Sequence, residues 1–148
     1  MAKRTPALLL SALALTALIA SCSTTDPLPR PDCSSVADTT QPATVSFKDE
    51  IAPLLSSYDC LNSGCHGAPL VSSDFAVNTY EDLFNPGTEA RSLGICSIKP
   101  GDPESSYLYR KITGSQIIGE RMPEDAQPMS PADIETFRVW ILEGARDN

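Results

Sequence analysis

The sequence is poor in residues that carry out general acid–base chemistry. It has a single histidine, His66, and no pair of carboxylates in a setting that suggests hydrolysis, so we expect no enzyme activity. Lys and Arg number 11 against 19 Asp and Glu, and the net charge of −8 argues against nucleic acid or anionic lipid as a partner. No stretch alternates β-branched and aromatic residues as strands do, which favours an all-α fold class.

The N-terminus has the pattern of a lipoprotein signal peptide. Lys3 and Arg4 precede an apolar run from Ala7 to Ala20 that is too short to span a bilayer as a retained helix. The sequence Ile-Ala-Ser-Cys ending at Cys22 resembles the lipobox of bacterial lipoproteins, whose cysteine is diacylated. We therefore predict removal of residues 1–21 and a lipid on Cys22 that anchors the protein in the cell envelope, facing the periplasm or in the outer membrane. The alternative is an ordinary secretory signal with a coincidental cysteine.

Residues 22–45 are predicted to form a tether. They are rich in Pro, Thr, Ser and Asp and have few large apolar side chains, so burial would not order them. The 127 residues left after removal of 1–21 suffice for one domain with a modest core, which we place at 46–148. Without residues 1–21, which contain two basic and no acidic residues, the formal charge becomes −10. An acidic surface of this kind favours a basic protein partner.

Two amphipathic helices frame the predicted domain. The first follows a Ser46 cap and covers Phe47 to Tyr58, where Pro53 should kink the helix or split it. The last begins after a Ser130 cap and carries Ile134, Phe137, Trp140 and Ile141 on one side. Shorter candidates cover 79–85 and 102–112, the second closed by Gly114.

The cysteines and the histidine carry the main chemical signal. Cys60 and Cys65-His66 follow the first helix. The cysteines of an exported protein are not expected to remain free thiols. A c-type haem site reads Cys-x-x-Cys-His, in which both thiols join the haem and the histidine is aimed at the iron. Here four residues separate the cysteines, and Gly64 is expected to supply the unusual backbone angles of the resulting bulge. We predict one covalent haem c on Cys60 and Cys65, with His66 as an iron ligand.

Two other uses of these cysteines stay open. Apart from Cys22, the chain has four cysteines, which could form two disulfides in any of three pairings and leave His66 an ordinary surface residue. A zinc site is the second alternative. It fits poorly, because Cys60, Cys65 and His66 supply only three ligands and two of them are adjacent.

The second axial ligand of such a haem is expected to be a methionine. Because there is no second histidine, bis-histidine ligation within one molecule is excluded. After removal of residues 1–21, only Met122 and Met129 remain. Met122 lies in a Gly- and Pro-rich loop and Met129 directly precedes the last helix cap. We predict Met122, since an axial ligand must come from a loop that crosses the distal haem face. Met129 is the alternative, and either could instead fill a gap in the core.

The order of these features resembles the monohaem cytochrome c family, and more closely the cytochrome c domains of myxobacterial and planctomycete exported proteins. Three segments carry the resemblance, which covers about residues 46–146. They are 47–66 with Gly67 following, 99–107 reading Lys-Pro-Gly-Asp-Pro-Glu-Ser-Ser-Tyr, and 121–145 with its Met-Pro and Trp-Ile-x-x-Gly-Ala. The four-residue spacer between the cysteines departs from the usual family pattern.

The resemblance implies a cytochrome c-like fold of class I, with short helices and long loops around a covalently bound haem. It implies His66 and Met122 as axial ligands. It also implies contact between the first and last helices, with Phe47 and Leu54 against Phe137, Trp140 or Ile141. The function implied is the transfer of single electrons to or from a soluble or membrane redox protein.

Cys33 and Cys96 remain once the haem takes the other two cysteines, and we expect them to form a disulfide. Closing that loop of 64 residues would stabilise the fold by about 4 kcal/mol.

Two rival functions stay open. One is a haem-free lipoprotein held by two disulfides that acts as a structural or binding module. The other is an enzyme subunit whose sixth iron site handles a small molecule such as peroxide.

Overall fold

The computed structural model describes residues 31–69 and 72–148. The predictions for the signal peptide, for lipidation of Cys22 and for the first part of the tether lie outside these residues. Within them the fold is all-α, with short helices joined by loops and only an isolated bridge between Cys96 and Ser106. Among the helices of this part of the chain, none has the length and apolar character needed to cross a membrane.

The first amphipathic segment forms a π-helix, Phe47–Ile51, that continues directly into α1 (Ala52–Ser57). The hydroxyl of Ser46 caps it by accepting from the N–H of Asp49 at 3.1 Å. Pro53 lies in the first turn of α1, directly after the π-helix, and cannot donate a backbone hydrogen bond there. The chain changes from π- to α-helix next to Pro53 but is not interrupted, so the prediction of two short pieces is met only as two helix types in one continuous segment.

Three further α-helices follow, namely α2 (Thr88–Leu93), α3 (Tyr107–Thr113) and α4 (Pro131–Leu142). Short 3₁₀ helices cover Glu81–Phe84 and Pro103–Ser105, inside the two shorter predicted segments. The caps at Ser130 and Gly114 are as predicted. α2 was not predicted, although Gly94 ends it with a φ of +65°, a common helix stop.

The core joins the two ends of the domain. Ile51, Phe137, Trp140 and Ile141 are fully buried. Phe47 packs on Trp140 with ring centroids 5.8 Å apart. The contact between the first and last helices that the resemblance implied is therefore present.

Tyr58 connects the end of the first helix to the start of the last. Its hydroxyl donates to the carboxylate of Asp133 at 2.6 Å and accepts from the N–H of Ser130 at 3.0 Å. Hydrogen bonds from the Ser130 hydroxyl and from Tyr58 lower the pKa of Asp133. Because Cys60 lies two residues after Tyr58 and Met129 directly precedes Ser130, this junction fixes both segments relative to each other.

Residues 31–45, the described part of the predicted tether, contain no helix or strand and lie along the domain. A disulfide joins Cys33 to Cys96, with their Cα atoms 5.7 Å apart. Further along, the carboxylate of Glu143 accepts from the N–H of Thr44 at 2.9 Å. This part of the chain is thus attached to the domain at both of its ends.

Candidate functional site

One cleft brings most of the predicted site residues together. The empty space it encloses is about 710 Å³ when the open mouth is included. Cys60, His66, Met122 and Met129 all line it, whereas Cys65 does not. Apolar side chains supply most of the remaining wall, among them Leu55, Val77, Leu108, Ile112 and Phe137.

Asn62 organises the loop between the two cysteines. Its side-chain oxygen accepts from the N–H of Gly64 at 2.9 Å, and its backbone carbonyl accepts from the N–H of Cys65 at 2.8 Å. The loop closes where the N–H of His66 donates to the carbonyl of Cys60 at 3.2 Å. The longer spacer is therefore folded back on itself, and Cys60 and His66 meet at its base.

The prediction for Gly64 is wrong. Gly64 has no positive φ, and a β-carbon there would meet only the side-chain oxygen of Asn62 at 3.5 Å. The glycine that the loop requires is Gly67, where a β-carbon would collide with the backbone carbonyl of Leu61. Directly before Cys60, Asp59 has a left-handed backbone conformation, with a φ of 55°. The hydrogen bonds of Asn62 hold the additional spacer residues in place, so no residue of the spacer needs a positive φ.

A backbone carbonyl fixes one nitrogen of the His66 ring. Its Nδ1 lies 2.9 Å from the backbone oxygen of Phe75, and its ring contacts the Phe75 ring edge to face at a centroid distance of 5.4 Å. Because a carbonyl only accepts, Nδ1 carries the proton of the neutral ring and Nε2 keeps its lone pair. Nε2 has no hydrogen-bond partner within residues 31–69 and 72–148. Metal-binding histidines show this pattern, in which the second ring nitrogen is fixed by a carbonyl.

The two thiols beside His66 differ in exposure. Cys60 is half-buried in the cleft wall and Cys65 is exposed, and both are free. Burial and, to a smaller degree, the neighbouring Cys65 raise the pKa of Cys60 to about 11. At neutral pH Cys60 is therefore a neutral thiol and a poor nucleophile. Within the described residues only Cys33 and Cys96 are paired, so the arrangement with two disulfides is not observed there.

The zinc alternative also lacks a site in this part of the structure. Across the described ranges, no three or more His, Cys, Asp or Glu side chains are grouped to hold a metal ion. A haem iron makes a smaller demand on the protein, because the macrocycle supplies four nitrogens and the chain only the axial ligands. The grouping of one histidine with methionines suits that demand better than it suits zinc.

The two methionines hold different positions in the cleft. Met129 is buried, with 4% of its surface exposed, and belongs to the hydrophobic core. Met122 is half-buried and packs against that core from the loop before α4. Its N–H donates to the carbonyl of Lys111 at 2.9 Å. Both side chains reach the same cleft, and that of Met122 is less committed to core packing.

Glu89, Tyr107 and Lys111 form a polar cluster in the cleft wall that was missed in the sequence. The Lys111 ammonium pairs with the carboxylate of Glu89 at 2.8 Å, and the Tyr107 hydroxyl lies 3.1 Å from the same carboxylate oxygen. Burial and the nearby Glu89 raise the pKa of Tyr107 to about 12, so its phenol stays protonated. Glu89 lies on α2, which was not predicted, and no spacing signal relates it to Lys111.

Asn62 and Phe75 were missed as well, because each acts on the site through local backbone contacts that no sequence motif indicates.

Comparison with known proteins adds no further assignment. No known protein family, no curated protein and no solved structure matches this chain. The chemistry of the cleft therefore has to be judged from its own residues.

Proposed function

We propose that this protein is an exported, lipid-anchored c-type cytochrome that transfers single electrons through one haem in a cytochrome c-like fold. The observation that carries the proposal is the shared cleft. Cys60, His66 and Met122 line one largely apolar space, although Met122 is 56 residues distant from His66 in the chain. The only histidine of the chain has its Nδ1 occupied by a carbonyl, which leaves Nε2 for a ligand.

The residues fit a covalently held haem. Cys60 in the cleft wall and Cys65 on the exposed arm of the same loop would hold it through thioether bonds. His66 Nε2 and the Met122 sulfur would be its axial ligands, and the apolar walls suit a flat hydrophobic ring. When bound, the haem supplies one-electron redox chemistry.

Each neighbouring residue has a defined task in this arrangement. The Phe75 carbonyl fixes the orientation of the His66 ring and increases its basicity as a ligand. The apolar side chains exclude water, which together with methionine ligation favours a higher reduction potential than bis-histidine ligation would give. Met122 is preferred over Met129 because Met129 already fills the core.

The proposed location and partner follow from the N-terminus and the charge. A lipid on Cys22 would hold the protein on an envelope membrane, facing the periplasm or in the outer membrane. The excess of 19 acidic over 11 basic residues suits a basic redox partner, and electrostatic attraction would make association fastest at low salt.

The first test is the mass and pyridine haemochrome spectrum of the mature protein from a host with cytochrome c maturation. The expected result is one added haem mass that survives acid extraction, with the spectrum of two thioether bonds. The matched control is Cys60→Ser, for which the spectrum should report a single thioether. An unmodified mass in the parent protein would overturn the proposal and favour the haem-free lipoprotein.

A pair of isosteric variants tests the axial methionine. Leucine is close to methionine in volume, so Met122→Leu and Met129→Leu should each fold. The charge-transfer band between methionine sulfur and ferric iron should disappear in Met122→Leu and persist in Met129→Leu. The opposite pattern would assign the ligand to Met129, and persistence in both variants would show that either methionine can bind the iron. Absence of the band from the parent protein would exclude methionine ligation.

A further inference from the structure

The loop that carries Met122 is attached to α3 at several points. The backbone carbonyl of Lys111 accepts from the N–H of Met122 at 2.9 Å, and the Lys111 ammonium donates to the carbonyl of Glu120 at 2.8 Å. The Tyr107 hydroxyl donates to the carbonyl of Ile118 at 2.7 Å. One residue, Lys111, thus holds the loop through both its backbone and its side chain.

Glu89 orients the two donors from the opposite side. Its carboxylate lies 2.8 Å from the Lys111 ammonium and shares the single proton of the Tyr107 hydroxyl at 3.1 Å. The side chains of Lys111 and Glu89 are only 11% and 25% exposed. The pair is therefore shielded from the solvent that weakens surface ion pairs.

The loop passes directly over this ion pair. Gly119 has a φ of +70°, and a β-carbon there would collide with the carboxylate of Glu89 and the ammonium of Lys111. An apolar pair of similar volume would cover the same wall without a loss of stability, since buried ion pairs contribute little net stability. What the charged pair adds is direction, because the Lys111 ammonium donates to the carbonyl of Glu120 in the loop.

We propose that Glu89, Tyr107 and Lys111 form a clamp that positions Met122 for ligation in the cleft. The inference rests on the proposed haem function, and the three are positioning residues. Without the clamp, the loop would open more often and the methionine sulfur would leave its position more often. The clamp itself is a property of the polypeptide, so it can be measured with or without haem.

Three variants of the full chain separate the clamp from general stability. Lys111→Leu removes the ammonium and keeps an apolar side chain in the cleft wall without adding a second sulfur ligand, but leaves Glu89 as a carboxylate without its counter-ion. The double variant Glu89→Gln with Lys111→Leu removes that charge as well. Arg138→Leu is the matched control, since it breaks the exposed ion pair of Arg138 with Glu135 on α4. We expect the double variant to regain global stability and still lack the clamp.

In the haem-loaded protein, imidazole competes with Met122 for ferric iron. Its apparent affinity is proportional to the fraction of molecules whose methionine has left. Loss of a charge-assisted hydrogen bond should raise this affinity by about tenfold in both clamp variants and weaken the methionine charge-transfer band. Arg138→Leu should match the parent. Parent-like imidazole affinity and an unchanged band in both clamp variants would overturn the proposal.

Amide hydrogen exchange gives the second measurement, on the same chain isolated without haem. The amide of Met122, whose N–H donates to the carbonyl of Lys111, should exchange about tenfold faster in the clamp variants, while the α4 amides of the double variant keep parent rates. If no haem is ever incorporated, the cytochrome proposal fails, and this exchange alone decides the clamp. If haem and methionine ligation are found but the loop exchanges at the parent rate, the clamp fails and the cytochrome proposal stands.

Discussion

Removing the hydroxyl of Tyr58 should weaken the junction between the cysteine loop and α4. In Tyr58→Phe, the carboxylate of Asp133 loses a 2.6 Å hydrogen bond and the N–H of Ser130 loses its 3.0 Å partner. A hydrogen bond to a charged group contributes about 1.5–3 kcal/mol and a neutral one about 1 kcal/mol. Water can reach Ser130 and partly Asp133, so we expect a loss of about 2 kcal/mol in the free energy of unfolding at pH 7.

Two other tyrosines provide a graded comparison. The Tyr80 hydroxyl makes one neutral hydrogen bond, to the carbonyl of Ala145 at 2.7 Å, so Tyr80→Phe should lose about 1 kcal/mol. The hydroxyl of Tyr109 has no hydrogen-bond partner within the described residues, and Tyr109→Phe should match the parent. Urea unfolding followed by circular dichroism measures all three. Equal losses for Tyr58→Phe and Tyr109→Phe would refute the reasoning.

The pH dependence of the Tyr58→Phe loss gives a second check. The folded-state pKa of Asp133 lies below its ordinary value of 3.8, and the Ser130 hydroxyl is the larger cause, with Tyr58 next. A lowered carboxyl pKa stabilises the fold above the ordinary value, and this stability is lost as pH falls through the folded pKa. The difference between the parent and Tyr58→Phe should therefore be largest at neutral pH and narrow below about pH 4.

Cys33→Ser opens the covalent loop closed over a sequence separation of 63 residues and should lower the free energy of unfolding by about 4 kcal/mol in urea titrations. A loss under about 1 kcal/mol would contradict the loop-entropy argument. Gly67→Ala should prevent the cysteine loop from closing and abolish haem incorporation, whereas Gly64→Ala should incorporate haem normally; equal incorporation would show that the loop can move aside. Ile51→Ala, at a fully buried position, should lose about 2–5 kcal/mol, against less than about 0.5 kcal/mol for the exposed Ile117→Ala, as thermal unfolding would show.

The parts of the fold that could be predicted from sequence are those set by local chemistry. Ser46, Ser130 and Gly114 mark helix ends because capping depends on a few consecutive residues. The change from π- to α-helix next to Pro53 is local in the same way. The helix Thr88–Leu93 escaped notice because six residues are too few to show a helical period.

The candidate site was predictable only in its chemically distinctive residues. Cys60, His66 and Met122 stood out by type and spacing, and all three line the cleft. The pairing of Glu89 with Lys111 joins residues 22 positions apart in the chain, and nothing in their surroundings relates them. Such contacts are set by how the elements pack, which a single sequence does not display.

The disulfide between Cys33 and Cys96 also determines how far the domain can travel from its proposed lipid anchor. A chain free from Cys22 to residue 45 could extend to about 80 Å, whereas one that ends at Cys33 reaches at most about 40 Å. The disulfide thus halves the maximum distance between Cys22 and the domain. A redox partner in the same membrane would therefore remain within reach of the cleft. Reduction of the disulfide between Cys33 and Cys96 would increase the distance that the domain can move from its anchor.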